Sequence, residues 1–129
     1  MIADEKGRRE RGLEVLRKMG WGDNPTLKAL DEDLWALTTD TFFGDIWARP
    51  GLSLRERELI TLATLMAAKA DGISLHMKNA HHLGITYDEM KEVILQCTIY
   101  LGLPQALFAM RKLEAVIAES RVPPEAAGP

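Results

Sequence analysis

A run of apolar residues at helical spacing, between residues 53 and 83, constrains the fold of this chain more than any other feature. Its sequence is SLRERELITLATLMAAKADGISLHMKNAHHL. Ser53 followed by Glu56 forms a capping box, the pattern in which two side chains satisfy backbone N–H groups at the start of a helix. The apolar residues that follow occupy nearly every side of that helix: Leu59, Ile60, Leu62, Ala63, Leu65, Met66 and Ala67. We therefore expect a buried helix to begin here.

A second helix is predicted after Asp71 and Gly72, where the apolar pattern resumes. One of its faces carries a histidine among mostly small and apolar residues: Gly72, His76, Asn79, Ala80 and Leu83. His76 is therefore expected to point inward. Because Glu58 begins the preceding buried helix, the two helices can bring an acid and a base together where water is excluded.

Both residues also have simpler interpretations. On composition alone, His76 is more readily explained as a core histidine whose ring is satisfied by a backbone carbonyl. A carboxylate near a helix start, such as Glu58, is favoured by the helix dipole by about 0.3 to 1 kcal/mol without any catalytic role. The pair is more informative than either residue alone, because an imidazole exchanges protons at neutral pH.

The rest of the chain predicts further helices, about six in all, and no segment alternates over the length of a strand. Residues 5–19 predict an amphipathic first helix. Asn24 and Pro25 predict the start of a second, which runs to about Ile46. Its apolar face is expected to hold Leu27, Leu30, Leu34, Leu37 and Phe42, while Trp35, Phe43 and Trp47 add area for burial or for a subunit contact.

The C-terminal part carries the clearest helix boundaries. Gly84 closes one helix, and Thr86 with Glu89 forms a second capping box that starts the next. Gln96 and Tyr100 lie one turn apart on the flank of that helix. A final helix follows Pro104. We expect one all-α domain over residues 1–129, a compact bundle with an ordered core from about 10 to 120.

Charge and composition limit the partners of this chain. Its formal net charge is −3, with acidic and basic residues interspersed, so neither a nucleic-acid stripe nor a polybasic membrane anchor is present. No apolar run reaches the roughly 20 residues that cross a bilayer. The charged N-terminal sequence and the single Cys97 favour a cytoplasmic protein. The expected partner is a small molecule or another protein.

Metal and thiol chemistry are not expected. His81 and His82 lie off the face of His76, and the chain has neither an HExxH motif nor paired cysteines. Cys97 lies on an apolar face and is expected to behave as a small hydrophobic residue. The arginines Arg49, Arg55 and Arg57 can hold a carboxylate through bidentate hydrogen bonds, although most arginines near helix starts are simply solvated.

Three segments together resemble a known family. FGDIWARPGLSLRERELITLA, LHMKNAHHLGIT and EVILQCTIYLGLP resemble γ-carboxymuconolactone decarboxylases, within the alkylhydroperoxidase D-like all-helical superfamily, over roughly residues 10 to 118. The resemblance implies a small helical bundle that assembles as a trimer or hexamer, without metal or organic cofactor, in aromatic-acid catabolism through the β-ketoadipate pathway. It places His76 on the histidine of the central helix pair, Arg49 on the arginine of the RPG segment, and Glu58 near the acidic position of the peroxidase branch.

The chain departs from the family pattern in two ways. The CxxC positions of the redox branch correspond here to Lys69 and Gly72, so thiol peroxidase chemistry is not expected. Gln96 and Leu107 stand where the decarboxylase branch commonly has a histidine and an asparagine. These two differences favour a changed substrate.

The leading hypothesis is cofactor-free decarboxylation of a carboxylated unsaturated lactone. His76 would be the general acid, Glu58 would orient its ring, Arg49 or Arg57 would anchor a substrate carboxylate, and Gln96 and Tyr100 would contact the substrate. Two alternatives remain: a related lyase or isomerase acting on another enolisable acid, and a catalytically silent oligomer that binds a small acid or a partner protein. A histidine packed wholly against hydrocarbon would favour the silent protein.

Overall fold

The computed structural model describes residues 7–121, which form helices joined by short turns. No strand occurs in this range, so the expectation of an all-α fold is confirmed. None of the described helices is long and apolar enough to cross a membrane. In order they are α1 (Arg8–Lys18), α2 (Pro25–Leu30), α3 (Glu32–Leu37), a π-helical segment (Thr38–Trp47), α4 (Leu54–Ala67), α5 (Ile73–Asn79), a 3-10 turn (Ala80–Leu83), α6 (Tyr87–Leu101) and α7 (Leu103–Ser120).

The chain divides into two units, the first ending at Arg57 and the second beginning at Glu58. The boundary falls inside α4, about one turn after its start. A single domain over the whole chain stays a prediction. The predicted first helix begins at Arg8 within the described range, and residues 5 and 6 of that prediction lie outside it.

The prediction of one uninterrupted helix from Pro25 to about Ile46 is wrong. Asp31 adopts an extended conformation, with φ −161° and ψ 121°, and so ends α2. Its carboxylate then accepts a hydrogen bond of 2.7 Å from the backbone N–H of Leu34 and caps the start of α3. Aspartate is a preferred N-cap residue because it satisfies a donor that the helix leaves unpaired. One acidic side chain therefore divides the predicted helix.

The apolar face predicted for this region is also wrong. Trp35, Thr39 and Phe43, spaced four residues apart, are buried in α3 and the π-helical segment, as is Gly44. Leu30 is 77% exposed and Phe42 is 50% exposed. Large aromatic side chains gain more from burial than leucines do, and the wider π-helical turn changes which residues share a face.

The two long elements of the first unit, α1 and the π-helical segment, pack with their backbones in direct contact. A Cβ atom added to Gly12 would overlap the carbonyl oxygen of Thr39, and one added to Gly44 would overlap the carbonyl oxygen of Arg8. Glycine is required at both positions because it has no side chain to separate the helices. Arg9 adds a bidentate ion pair to Asp40, with its closest contact at 2.6 Å.

The core of the second unit is built from side chains. Residues of α4, α5, α6 and α7, together with one residue of the 3-10 turn and one of the connection to α6, form one buried cluster: Leu62, Met66, Ile73, Met77, Ala80, Ile85, Met90, Ile94, Ala109, Leu113 and Val116. The capping box of Thr86 and Glu89 is confirmed, as is the left-handed Gly84 at the end of the preceding turn. α4 buries the face that carries Leu62 and Met66, whereas Ile60 on another side is 52% exposed. The expectation that α4 is enclosed on every side is therefore not met in the single chain.

Candidate active site

Glu58 is the only buried charged side chain among the residues that the structure describes. It lies in the second turn of α4 and is 1% exposed. The helix start that positions it is the predicted capping box: the Ser53 hydroxyl accepts from the backbone N–H of Glu56, and the Glu56 carboxylate accepts from that of Ser53. Burying an ionised carboxylate is costly unless a partner compensates it. Glu58 therefore needs a hydrogen-bond donor close by.

His76 supplies that donor. Its Nδ1 lies 2.7 Å from Oε1 of Glu58, across 18 residues of sequence. Its side chain keeps 14% of its surface exposed, so the ring is not packed wholly against hydrocarbon. The core face of α5 is formed by Ile73 and Met77, with His76 on its flank. The predicted juxtaposition of acid and base is present, although the histidine is not at the centre of the apolar face.

A tight turn between α4 and α5 makes this contact possible. The backbone N–H of Lys69 donates to the carbonyl of Met66 at 3.1 Å, and that of Ala70 donates to Leu65 at 3.0 Å. These two bonds form a Schellman motif, in which Lys69 holds the left-handed position with φ 50°. The residues of this stretch do not predict the motif, because glycine is the usual residue at the left-handed position.

The Glu58–His76 geometry defines the chemistry available to the ring. An ionised carboxylate only accepts hydrogen bonds, so Nδ1 carries the proton in this contact. The contact fixes the tautomer and orientation of the ring and assigns proton exchange with a substrate to Nε2. The carboxylate can also offset the positive charge of a doubly protonated ring. The pair is therefore suited to general acid or general base catalysis.

Arg49 and Arg57, the predicted carboxylate anchors, lie in the first unit. Nη2 of Arg57 donates to the backbone carbonyl of Arg49 at 3.0 Å and so helps to close the turn before α4. The Arg49 side chain lines a cavity of about 410 Å³ together with Arg11 and Lys18. Contact of either arginine with a substrate stays a prediction.

Gln96 and Tyr100 lie on α6, and both are exposed, with Tyr100 at 80%. Neither side chain makes a hydrogen bond within residues 7–121. Leu107, the second departure from the family pattern, is 43% exposed on α7. Contact of Gln96 and Tyr100 with substrate stays a prediction.

Cys97 is the only cysteine of the chain, and its surroundings disfavour thiolate chemistry. Its side chain packs against the core of the second unit from α6. Burial raises the pKa of the Cys97 thiol, because a thiolate loses hydration there. The thiol is therefore protonated at neutral pH. This agrees with the expectation that Cys97 acts as a small hydrophobic residue.

The remaining histidines lie on the surface of the second unit. His81 and His82 are exposed, their ring centroids lie 4.1 Å apart, and Nδ1 of His81 contacts the carbonyl of Lys78. In the described part of the chain, no group of three or more histidine, cysteine, aspartate or glutamate side chains is arranged to hold a metal ion.

Comparison with known proteins agrees with the resemblance seen in the sequence. Residues 32–115 match the model of the family described as the carboxymuconolactone decarboxylase family. The chain is 32% identical to the 4-carboxymuconolactone decarboxylase of Acinetobacter baylyi, over 95% of this chain and 96% of that protein. It is also 36% identical to the nitrosuccinic acid decarboxylase of Metarhizium robertsii, over 57% of this chain and 52% of that protein. The family model matches more than half of the chain, and the Acinetobacter baylyi protein aligns with nearly all of it. This chain therefore belongs to the carboxymuconolactone decarboxylase family.

Proposed function

We propose that the protein is a decarboxylase whose substrate is a carboxylated unsaturated lactone similar to γ-carboxymuconolactone. Both relatives carry decarboxylase names, and the one that aligns over nearly the whole chain is named for a carboxymuconolactone. The observation that carries the proposal is the 2.7 Å contact between buried Glu58 and His76. It holds a proton-exchanging ring in one orientation beside a compensating charge.

The proposed reaction needs an electron acceptor and a proton donor. Cleavage of the bond between the ring carbon and the carboxylate releases carbon dioxide, and the electron pair left behind delocalises onto the lactone carbonyl oxygen. His76, doubly protonated after taking up a proton from solvent at Nε2, then donates that proton to a carbon of this dienolate, which gives the decarboxylated lactone and a neutral ring protonated at Nδ1. The proposal assigns no step to a metal or organic cofactor, because the substrate carbonyl itself accepts the electron pair.

Glu58 acts through His76 and is a positioning residue. Its carboxylate holds the Nδ1 proton, which fixes the tautomer, and it balances the charge of the ring before proton transfer. Hydrogen bonds to charged groups are worth about 1.5–3 kcal/mol, so this contact can account for a substantial part of the rate. Arg49 or Arg57 is proposed to bind a carboxylate of the substrate. This is either the carboxylate that leaves as carbon dioxide or a second carboxylate that the product keeps.

A second candidate is decarboxylation of a different enolisable acid. The Metarhizium robertsii relative, named for nitrosuccinic acid rather than for a lactone, favours it. So do Gln96 and Leu107, which replace residue types common in the lactone branch. This alternative keeps His76 and Glu58 in the same roles and changes the acid on which they act.

The experiment is an ultraviolet absorbance screen of γ-carboxymuconolactone, other enol-lactone acids and nitrosuccinic acid. The wild-type protein is expected to convert one of the lactone acids, and His76→Ala to lower the rate by about 10²–10⁴-fold, the usual contribution of a general acid. His76→Gln, which keeps a donor for Glu58 without the ability to transfer a proton, should fall by a similar factor.

The matched control is His82→Ala, which removes an exposed histidine and should keep wild-type turnover. Circular dichroism establishes that each variant is folded. Turnover of nitrosuccinic acid alone would favour the second candidate. Turnover by His76→Ala at the wild-type rate would contradict the role proposed for His76 in both decarboxylase reactions. No turnover of any acid by the folded wild type would contradict both proposals and favour a silent binding protein.

We also propose that the active form is a homo-oligomer, a trimer or a hexamer. The apolar side chains that the single chain leaves exposed include Leu30, Leu34, Leu37, Phe42, Ile46, Ile60, Leu95, Ile99 and Leu103. A second copy can cover such surfaces. Sedimentation at low micromolar concentration is expected to show a species larger than the 14.4 kDa chain, and a fully active species of that mass would contradict the proposal. Cytoplasmic location and a place in aromatic-acid catabolism stay predictions.

A further inference from the structure

The second unit contains a cavity of about 460 Å³ between the turn after α4 and the first half of α7. One part of its lining is apolar, and the other part is basic. The lining consists of Pro104, Leu107, Phe108, Lys69, Arg111 and Lys112. Neither Glu58 nor His76 belongs to it. A concave apolar surface with a few charged groups is the usual form of a site for a small organic molecule.

Lys69 reaches this cavity from a strained backbone conformation. Its φ of 50° is left-handed, at the position of the Schellman motif that glycine usually occupies. A side chain with a Cβ is disfavoured there, and such strain is found preferentially at ligand sites and active sites. The turn itself would form more easily with glycine. The lysine side chain therefore has a use that the turn does not explain.

The positive charge around the cavity is only partly compensated. Within residues 7–121, the side chains of Lys69 and Arg111 make no hydrogen bond and no ion pair. Lys112 Nζ pairs with Oδ1 of Asp71 at 3.0 Å and lies 5.5 Å from the centre of the Phe108 ring. Three cations and one carboxylate leave an excess of two positive charges beside an apolar wall.

We propose that this cavity binds a small organic carboxylate with an apolar ring, separately from the chemistry of His76. The carboxylate of the ligand pairs with Lys69 and Arg111, and arginine can bind it through two parallel hydrogen bonds. The ring packs against Leu107 and Phe108. Lys112 adds a weaker attraction because Asp71 already neutralises part of its charge. The inference goes beyond the proposed reaction, since it needs no turnover and no contact with Glu58.

Benzoate is the probe, titrated into the full-length protein while backbone amide signals are followed by nuclear magnetic resonance. The expected result is saturable binding with the largest shifts at Leu107 and Phe108. Arg111→Gln should weaken it by about tenfold, since it removes a charged hydrogen-bond donor. Lys69→Gly should weaken binding similarly and also raise the melting temperature, because glycine adopts the left-handed conformation without strain. Opposite effects on binding and stability distinguish a ligand-binding lysine from a structural one.

The controls separate this site from simple charge attraction and from the candidate active site. Lys91→Gln removes an exposed cation of α6 and should leave benzoate affinity unchanged, as should His76→Ala. Inorganic phosphate should bind more weakly than benzoate, because it has no apolar part. The proposal is overturned if Lys69→Gly and Arg111→Gln bind benzoate like the wild type, if Lys91→Gln weakens binding equally, or if His76→Ala abolishes it. Phosphate binding as tight as that of benzoate would also contradict it.

Discussion

Each of the two units of this protein is stabilised internally by a different kind of contact. In the first, α1 and the π-helical segment touch through their backbones at Gly12 and Gly44, and Trp35 and Phe43 are buried in the same unit. In the second, flexible side chains such as Met66 and Met77 form the core. The first unit is therefore sensitive to any added atom, whereas the second can adjust its methionines around a change.

The second unit also carries what the first lacks within the described residues, a buried carboxylate. Glu58 is 1% exposed and is bonded to His76, whereas the ion pairs of the first unit involve partly exposed groups such as Arg9 and Asp40. Partly exposed pairs contribute about 0–1 kcal/mol each, while a buried charge that loses its partner costs several. Large stability losses in the first unit are therefore expected at its glycine contacts rather than at its ion pairs. In the second unit, a substitution that removes the charge of Glu58 and keeps its hydrogen bond to His76 should change activity more than stability.

The largest effect on stability is expected from a substitution that disrupts the close backbone contact between α1 and the π-helical segment. Gly12→Ala places a methyl group against the carbonyl of Thr39, so the helices must separate, and the free energy of unfolding should fall by about 3 kcal/mol or more. Urea denaturation measures it. Gly51→Ala is the matched control, because a Cβ there meets nothing within 4 Å, and it should change stability by less than about 1 kcal/mol. Equal stability of the two variants would contradict the close contact.

A smaller effect is expected from Glu58→Gln in the second unit. The amide keeps an oxygen for the Nδ1 proton of His76 and loses the charge, so kcat should fall by about 10–100-fold with KM little changed. The free energy of unfolding should change by about 1 kcal/mol at most. Steady-state kinetics and urea denaturation measure the two quantities on the same sample.

Cys97→Ser is the control for this variant, because the half-buried thiol of Cys97 is given no chemical role and turnover should stay within a few-fold. A stability loss in Glu58→Gln without a loss of kcat would show that the buried pair is structural. Loss of turnover in folded Cys97→Ser would show that a nucleophile has been overlooked.

The smallest effect is expected from Glu56→Gln, which replaces an exposed carboxylate close to the buried Glu58. The hydrogen bond from the backbone N–H of Ser53 lowers the pKa of Glu56 below its usual 4.5. Because the carboxylate is favoured in the folded state, its contribution is present above the pKa of the unfolded chain and is lost as pH falls through the lower pKa of the folded state. Glu56→Gln should therefore melt at a slightly lower temperature than wild type at pH 7, and this gap should close at pH 3.

Thermal melts at the two pH values test this expectation, with Glu92→Gln on the exposed side of α6 as the control. Glu92→Gln should show a smaller gap at pH 7 than Glu56→Gln. A gap for Glu56→Gln that widens as the pH falls would have the wrong sign for a carboxylate with a lowered pKa.

The features that the sequence predicted correctly are mostly local. The capping boxes of Ser53 with Glu56 and of Thr86 with Glu89 join residues three apart, so nothing distant in the chain can alter them. The contact of Glu58 with His76 was predicted because both belong to neighbouring helices with short connections. Family resemblance strengthened that prediction by assigning the histidine to the central helix pair.

The features that the sequence did not predict depend on competition between distant groups. Leu30 and Leu34 fit an amphipathic helix, yet Trp35 takes the buried face because it packs in the first unit and donates its indole N–H to the carbonyl of Asp23. The close approach at Gly12 has no signal in the sequence other than the glycine itself. Lys69 adopts a left-handed backbone conformation that lysine disfavours and glycine prefers. Conformational propensities therefore do not predict this turn from the sequence.

The short separation between Glu58 and His76 has a consequence for how substrate preference can diverge. Only 18 positions of sequence divide them, whereas Arg9 and Asp40 in the first unit are 31 apart. Closing a shorter loop loses less chain entropy, and contacts of low sequence separation can form early in folding. The acid–base pair is thus contained in one helical hairpin that can assemble without the remainder of the chain in its final arrangement. Substitutions at positions outside that hairpin, such as Gln96 and Leu107, can therefore leave the acid–base pair intact.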